Sequence, residues 1–321
     1  MVIMENVAGM GSKFDGDDDS VFGQLAIALA DTGQGYRVQK VLANAKHYGA
    51  PQNRPRLLLV GLRSDLAEEK DIHVSNELWR SDYIDALESP IPALAPMPTI
   101  SKLDAPVVRD AIEDLSSANN PQSRYVTDLN SKFSRILQPE SQTENHTPRK
   151  HTQDVRLRFR VYQFMKENSL KRGLLNPAPS ESDDEMRQRL RGQLSEIKFP
   201  AKLPDNSILA SNREELVDLL IRLKTKKHSQ RVIGMEETAG TVLTIGDDYV
   251  HPTEPRVFTV RELARFQGFP DGFVFRGKET TGGLKRRSEV PQYTQVGNAV
   301  SPLVGLAIGK MVASTLKPRL K

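Results

Sequence analysis

Gln52-Asn53-Arg54-Pro55-Arg56-Leu57-Leu58-Leu59-Val60-Gly61 is the stretch on which the fold class turns. Arg56 to Val60 reads as a strand that is apolar along its run, closed by Gly61, and two arginines stand at its entrance. Working back towards the N-terminus, Tyr36 to Leu42 reads as another strand. Ser20 can cap a helix in which Val21, Phe22, Leu25, Ala26 and Leu29 fall on one face, and Gly33 and Gly35 end it. Val2-Ile3-Met4 is a short apolar run of the kind expected for a buried strand, and a Gly- and Asp-rich loop follows it. Strand, helix, strand and strand in so short a span predict one end of an α/β sheet. Such a fragment is too small to bury both faces of a sheet, so the chain is expected to begin in mid-fold and to find its missing neighbours elsewhere.

The 321 residues are 38% hydrophobic and 27% charged, the ordinary globular range, so disorder is not the default. No basic segment followed by an apolar run opens the sequence, and no apolar stretch is long enough to span a bilayer, so a cytoplasmic protein without a membrane partner is expected. With zero cysteines there is no disulfide, no thiolate metal site and no thiol nucleophile, and no other metal-ligand spacing occurs. The net charge of +4 is unevenly spread. Between Arg149 and Arg231 there are 19 Lys/Arg against 11 Asp/Glu, so the remainder is net acidic. That surplus suits a solvated face or a polyanion-binding surface.

Beyond the Pro-rich boundary at Pro90 to Pro98, Leu157, Val161 and Met165 suggest a helix. Asn176 to Asp184 reads as a polar loop, and Glu214 to Leu223 as another helix. A helix is expected at Val260 to Gln267, then a Gly- and basic-rich loop through Arg287. Ser301-Pro302 then starts a last helix with Leu303, Leu306, Ala307 and Ile308 as its apolar stripe.

Four short segments follow one another in a fixed order. Glu5-Asn6-Val7 comes after the first strand, and Gln52-Asn53-Arg54-Pro55-Arg56 before a later one. Arg261-Glu262-Leu263-Ala264-Arg265-Phe266-Gln267-Gly268-Phe269-Pro270 and Gln295-Val296-Gly297-Asn298-Ala299-Val300 follow the variable middle. In that order they resemble the sixth, eighth, ninth and tenth motifs of the DNA (cytosine-5) methyltransferases. His146-Thr147-Pro148-Arg149-Lys150-His151 is similar to a run near the start of that family's target-recognition region.

The resemblance implies an α/β fold, a partial Rossmann-like S-adenosylmethionine-dependent methyltransferase sheet with a second, smaller target-recognition domain. It divides the chain into 1–98 (catalytic α/β part), 99–255 (recognition) and 256–321 (the last two motifs, returning to the catalytic part). By resemblance Glu5 is the partner of cytosine N3, while Arg54 and Arg56 position the base's O2 edge and the neighbouring backbone. Asn298, Ala299 and Val300 lie beside the methionine moiety of S-adenosyl-L-methionine, and His146, Arg149 and Lys150 contact double-stranded DNA. The segment Arg261 to Pro270 has an organising role, its charges paired along the helix face.

Two family features are absent: the Phe-x-Gly-x-Gly type motif that begins the cofactor site and the Pro-Cys dipeptide that carries the nucleophile. Gly9-Met10-Gly11 follows the wrong motif to replace the former. The cofactor site in this chain is therefore expected to be incomplete. Three functions are open at this point: one half of a methyltransferase needing an N-terminal fragment or subunit, a non-catalytic DNA-binding module, and a truncated remnant.

Overall fold

The computed structural model describes residues 1–13, 19–116, 120–138, 143–281, 285 and 288–317. Part of the Gly- and Asp-rich loop after the first strand and part of the basic loop through Arg287 lie outside the described residues.

A four-stranded sheet in the order β1-β3-β2-β4 forms the first part: β1 (Val2–Val7), β2 (Tyr36–Asn44), β3 (Pro55–Arg63) and β4 (Leu78–Arg80). β3 runs antiparallel to both its neighbours, and β4 joins β2 in parallel. The uninterrupted apolar run of β3 is explained by burial on both faces. Leu57 and Leu59 pack with Phe22 and Leu25 of helix α1 (Val21–Asp31), whereas Leu58, Val60 and Leu62 face the other way. Each such side chain taken out of water contributes roughly 1.5–3 kcal/mol. Gly61 does not close β3. It continues the strand, and a Cβ there would sit 3.1 Å from Leu29 and 3.3 Å from Tyr36, so the glycine lets α1 lie close. Ser20 caps α1 by accepting from the Gly23 amide at 3.1 Å. The first strand extends to Val7, so Glu5-Asn6-Val7 belongs to it rather than following it.

A short helix, α2 (Ser64–Glu69), leads towards β4. Pro90 to Pro98 is not a free linker: Leu94 and Ala95 are buried in the sheet's second core, and Tyr48 donates to the Pro96 carbonyl at 2.9 Å. Helices α3 (Val108–Ile112) and α4 (Arg124–Phe133) follow.

The middle of the chain has a core of its own. It is built from α5 (Gln153–Glu167), α6 (Asp183–Gln193), the hairpin β5 (Ala201–Lys202) with β6 (Ile208–Ala210), α7 (Arg213–Arg222), and the parallel pair β7 (Arg231–Val232) and β8 (Tyr249–Val250). α6 begins inside the expected polar loop, because Ser182 and Glu185 form a reciprocal capping box.

The chain then enters α8 (Val260–Gln267), α9 (Gln292–Asn298) and α10 (Pro302–Leu316). α10 docks on the sheet, with Leu303, Val304, Ala307 and Met311 against the face that holds Val41, Leu58 and Val60. Among the described residues no single helix is long and apolar enough to cross a membrane.

Every residue of α8 is buried, Arg261 and Arg265 completely. The ion pairs expected along its face are found elsewhere. Arg265 reaches Asp114 at 2.6 Å and Asp271 at 2.8 Å, Glu262 takes Arg256 at 2.8 Å, and Arg261 donates to the carbonyls of Glu144, Pro270 and Phe273. The reason is exposure: a helix with no solvent-facing side cannot leave its charges to pair along a wet surface.

Removing one member of a buried pair strands the other, at a cost of about 3–5 kcal/mol. Arg265→Ala should therefore lower unfolding free energy by that amount in a urea titration, and a loss below 1 kcal/mol would show that the pair is dispensable. Burial pushes the Asp271 carboxyl up, but the Arg265 hydrogen bond and charge outweigh it and hold it below the ordinary Asp value. A depressed folded value contributes stability above the unfolded value, near 4, which is lost as pH falls through the folded one. The urea midpoint should accordingly be lower at about pH 3 than at about pH 6, and less so in Asp271→Asn.

Candidate active site

Glu5 lies opposite Leu58 and Arg56 opposite Val7, so the two sit diagonally across the β1–β3 pair. Their side chains meet, Arg56 Nε to Glu5 Oε1, at 2.9 Å. Both are partly open to solvent, at 15% for Arg56 and 28% for Glu5. Arg56 is further fixed by donating to the Pro55 carbonyl at 2.8 Å, and burial lowers its pKa against the opposing pull of Glu5. β1 is an edge strand: among the described residues no strand pairs with its other side, and Met4 and Val7 are exposed there.

Arg54 is held inside the fold. Its guanidinium is buried and donates to Val242 O at 2.9 Å, Gly297 O at 2.7 Å and Ala299 O at 3.0 Å. Burial, with the charge of Arg56 beside it, pulls its pKa down to about 10, which still leaves it charged at neutral pH. It ties its own loop to two distant segments, one at Val242 and one at Gly297 to Ala299. The loop around it is bound to the segment 239–242 as well: the Asn53 amide donates to Ala239 O at 2.7 Å, the Ala239 amide to Pro51 O at 2.9 Å and the Val242 amide to Gln52 Oε1 at 3.0 Å. Sequence reasoning missed this segment, since Ala239 to Val242 has neither periodicity nor a motif of its own.

Asn298 and Val300 are exposed and Ala299 half-buried in the short connection between α9 and α10. Asn298 ends α9, and Ser301-Pro302 opens α10 as expected. Gly297 is needed beneath them, because a Cβ there would lie 2.5 Å from the Leu243 carbonyl. Both ring nitrogens of His146 serve an internal tie, Nδ1 meeting Thr259 Oγ1 at 2.9 Å and Nε2 meeting Leu115 O at 3.2 Å. Arg149 is paired with Asp247 and lies over the Tyr293 ring, whereas the side chain of Lys150 has no partner among the described residues. Together the structure brings Glu5 to Arg56 and Arg54 to Ala299, and sets His146 apart from both.

Hydrogen bonds from a charged donor are typically worth 1.5–3 kcal/mol. Arg54→Met should destabilise the fold by at least about 2 kcal/mol and speed amide exchange at Leu243 and Val300 roughly tenfold. Unchanged exchange in both segments would show that they are held without it.

Comparison with known proteins adds the identity. The chain is 25% identical over 312 residues to the type II methyltransferase M.DdeI of Desulfomicrobium norvegicum, covering 97% of this chain and 62% of that one. It is 29% identical over 309 residues to the DNA (cytosine-5)-methyltransferase CMT2 of Oryza sativa subsp. japonica, covering 87% of this chain and 21% of that one. A crystal structure of a putative DNA modification methyltransferase encoded within an E. coli prophage aligns over 98% of this chain and 69% of that one, with 18% identity and a TM-score of 0.44. The chain thus spans less than two thirds of the length of these two relatives. The model of the C-5 cytosine-specific DNA methylases matches residues 1–314, and the chain belongs to that family.

Proposed function

We propose that this chain supplies the base-positioning and DNA-binding portion of a DNA cytosine-5 methyltransferase, which transfers a methyl group from S-adenosyl-L-methionine to C5 of cytosine in duplex DNA. The observation that carries this reading is the Glu5–Arg56 pair at an open sheet edge, two residues from the Arg54 tie to the last motif. Cytosine becomes nucleophilic at C5 once a thiolate adds to C6, and that addition loads negative charge onto the ring. A carboxyl at N3 and a guanidinium at O2 meet that charge, which are the roles given to Glu5 and Arg56. Arg54 acts at one remove, by holding the backbone on which Arg56 stands.

S-adenosyl-L-methionine supplies the methyl group as an electrophile. Asn298, Ala299 and Val300 fit its carboxylate end: the Asn298 side chain is exposed without a partner among the described residues, and no side chain caps the first turn of α10. The thiolate must come from outside these 321 residues, which hold zero cysteines. The remaining methyltransferase portion, in the same protein or as a separate subunit, would cover the free edge of β1, a surface whose unpaired backbone groups invite another strand. The target cytosine must also leave the duplex, which requires a cationic cradle. We assign that cradle to the lobe built on α5 to β8, with Lys150 as a phosphate contact and Arg149 fixed beside it.

The chain alone should transfer no label from methyl-labelled S-adenosyl-L-methionine to duplex DNA. Adding a polypeptide with the missing cofactor and Pro-Cys motifs should start transfer, and Glu5→Ala should then lower the rate about 10²–10⁴-fold. Robust methylation by the pure chain, or a reconstituted enzyme indifferent to Glu5→Ala, would overturn these assignments. DNA binding with no rescue by any such polypeptide would favour a non-catalytic binding module.

A further inference from the structure

A cavity of about 510 Å³ opens in the middle lobe between α5, the turn Arg172–Leu175, β7 and residues 237–240. Tyr162, Met165, Lys166, Arg172, Arg231 and Gly240 line it. It adjoins the candidate active site through the chain itself: Thr238 and Gly240 face the cavity, while Ala239 between them is bonded both ways to the loop that carries Arg54 and Arg56.

The charges on its wall are unequal. Lys166 is paired with Glu237, whose carboxylate also feels the charge of Arg172, whereas Arg231 has no carboxylate within ion-pair distance among the described residues. Arg172 is exposed. Arg231 is half-buried and held in one orientation: its guanidinium lies over the Tyr249 ring at 4.7 Å and donates to the Tyr249 hydroxyl at 2.9 Å, and that hydroxyl donates to Thr241 O at 3.0 Å. Gly240 makes the arrangement possible, since a Cβ there would lie 2.9 Å from Arg231 and 2.4 Å from the Tyr249 hydroxyl. A neighbouring wall residue, Gln230, is buried with its side-chain oxygen unpartnered.

A guanidinium held 4.7 Å over an aromatic ring and bonded to that ring's hydroxyl cannot swing freely, so its remaining N–H groups keep one direction. A phosphate contact needs no such fixing, because a mobile lysine serves as well, whereas a planar pair of acceptors does. Among base edges in the major groove, guanine presents that pair as O6 and N7. We infer that Arg231, seconded by Arg172, is a specificity-determining residue that reads a guanine in the DNA target. This rests on the reading above, in which the middle lobe holds DNA.

The test is selection of binding sites from a randomised duplex pool by the full chain, compared with Arg231→Lys, Arg231→Met and Arg172→Met, each first checked for an unchanged melting temperature. The wild type should enrich duplexes with an invariant guanine at one position. A good bidentate contact is worth about 1–3 kcal/mol of discrimination, so Arg231→Lys should relax that position by roughly 5- to 150-fold while keeping the salt dependence of binding. Arg172→Met should relax it less. If Arg231→Lys leaves the preference intact, or Arg231→Met weakens all duplexes alike, the residue is a structural or phosphate contact and the inference fails. A wild type that binds duplex with no guanine preference overturns it too, yet leaves the proposed function standing. No duplex binding at all would remove both.

Discussion

Arg265, wholly buried, is held between Asp114 and Asp271, and the fold converges on that contact. Each ion taken from water costs several kcal/mol after relaxation, so the arrangement persists only where every donor is used. Here the donors are used. Arg265 also donates to the Ala111 carbonyl at 2.9 Å, and Asn130 bonds both the backbone and side chain of Asp271. In this way α3, α4 and α8 are locked at angles that apolar packing alone leaves adjustable. The neighbouring Arg261 does the same with three carbonyls and no hydrogen-bonded carboxylate, Asp271 standing 3.9 Å away.

Rigidity passes from this helix to the candidate active site by short steps. Gln267 at its last position donates to Val296 O at 2.6 Å, and Arg54 takes the next carbonyl, Gly297, at 2.7 Å. Gly268, left-handed at φ 83°, ends the helix and lets Leu303 of α10 approach within 2.9 Å of where a Cβ would stand. The connection that bears Asn298 is thus gripped from the α8 side and from the β3 side at once. Arg56 inherits its position from the same grip, since only Pro55 separates it from Arg54.

What the sequence disclosed and what it hid divide by range. α8 was legible to the residue because its signals are local: Thr259 caps it, Glu262 returns the capping bond, and Gly268 stops it. The strand run of β3 was equally plain, although its end was misplaced, as Gly61 serves the packing of α1 and not a turn. The family itself was legible from four ordered motifs. Arg54 and Arg56 looked alike in sequence, yet the partners of Arg54 lie 188 to 245 residues away, and no local pattern carries that information. The ring partners of His146, Thr259 and Leu115, are likewise distant in sequence. The basic surplus of the middle region was real as a count but weaker as a surface, because Arg189, Arg191 and Lys224 among others are answered by carboxylates of the same lobe.

The open flank of the sheet bears on how the Glu5–Arg56 pair would work. An ion pair in contact with water gains little, about 0–1 kcal/mol, because solvent screens it and either partner can turn away. In this chain the pair is only partly covered, so it can be preformed without being locked. On the proposed reading, a second portion pairing with β1 would shut out water, and the same 2.9 Å contact would then act in a lower dielectric, where charge on a bound base is felt more strongly. A pair fully buried in the isolated chain would have had its charges satisfied already and would have to be broken to admit a base. On that reading, partial exposure at a strand edge with no partner strand among the described residues suits a site whose electrostatics a second portion would complete.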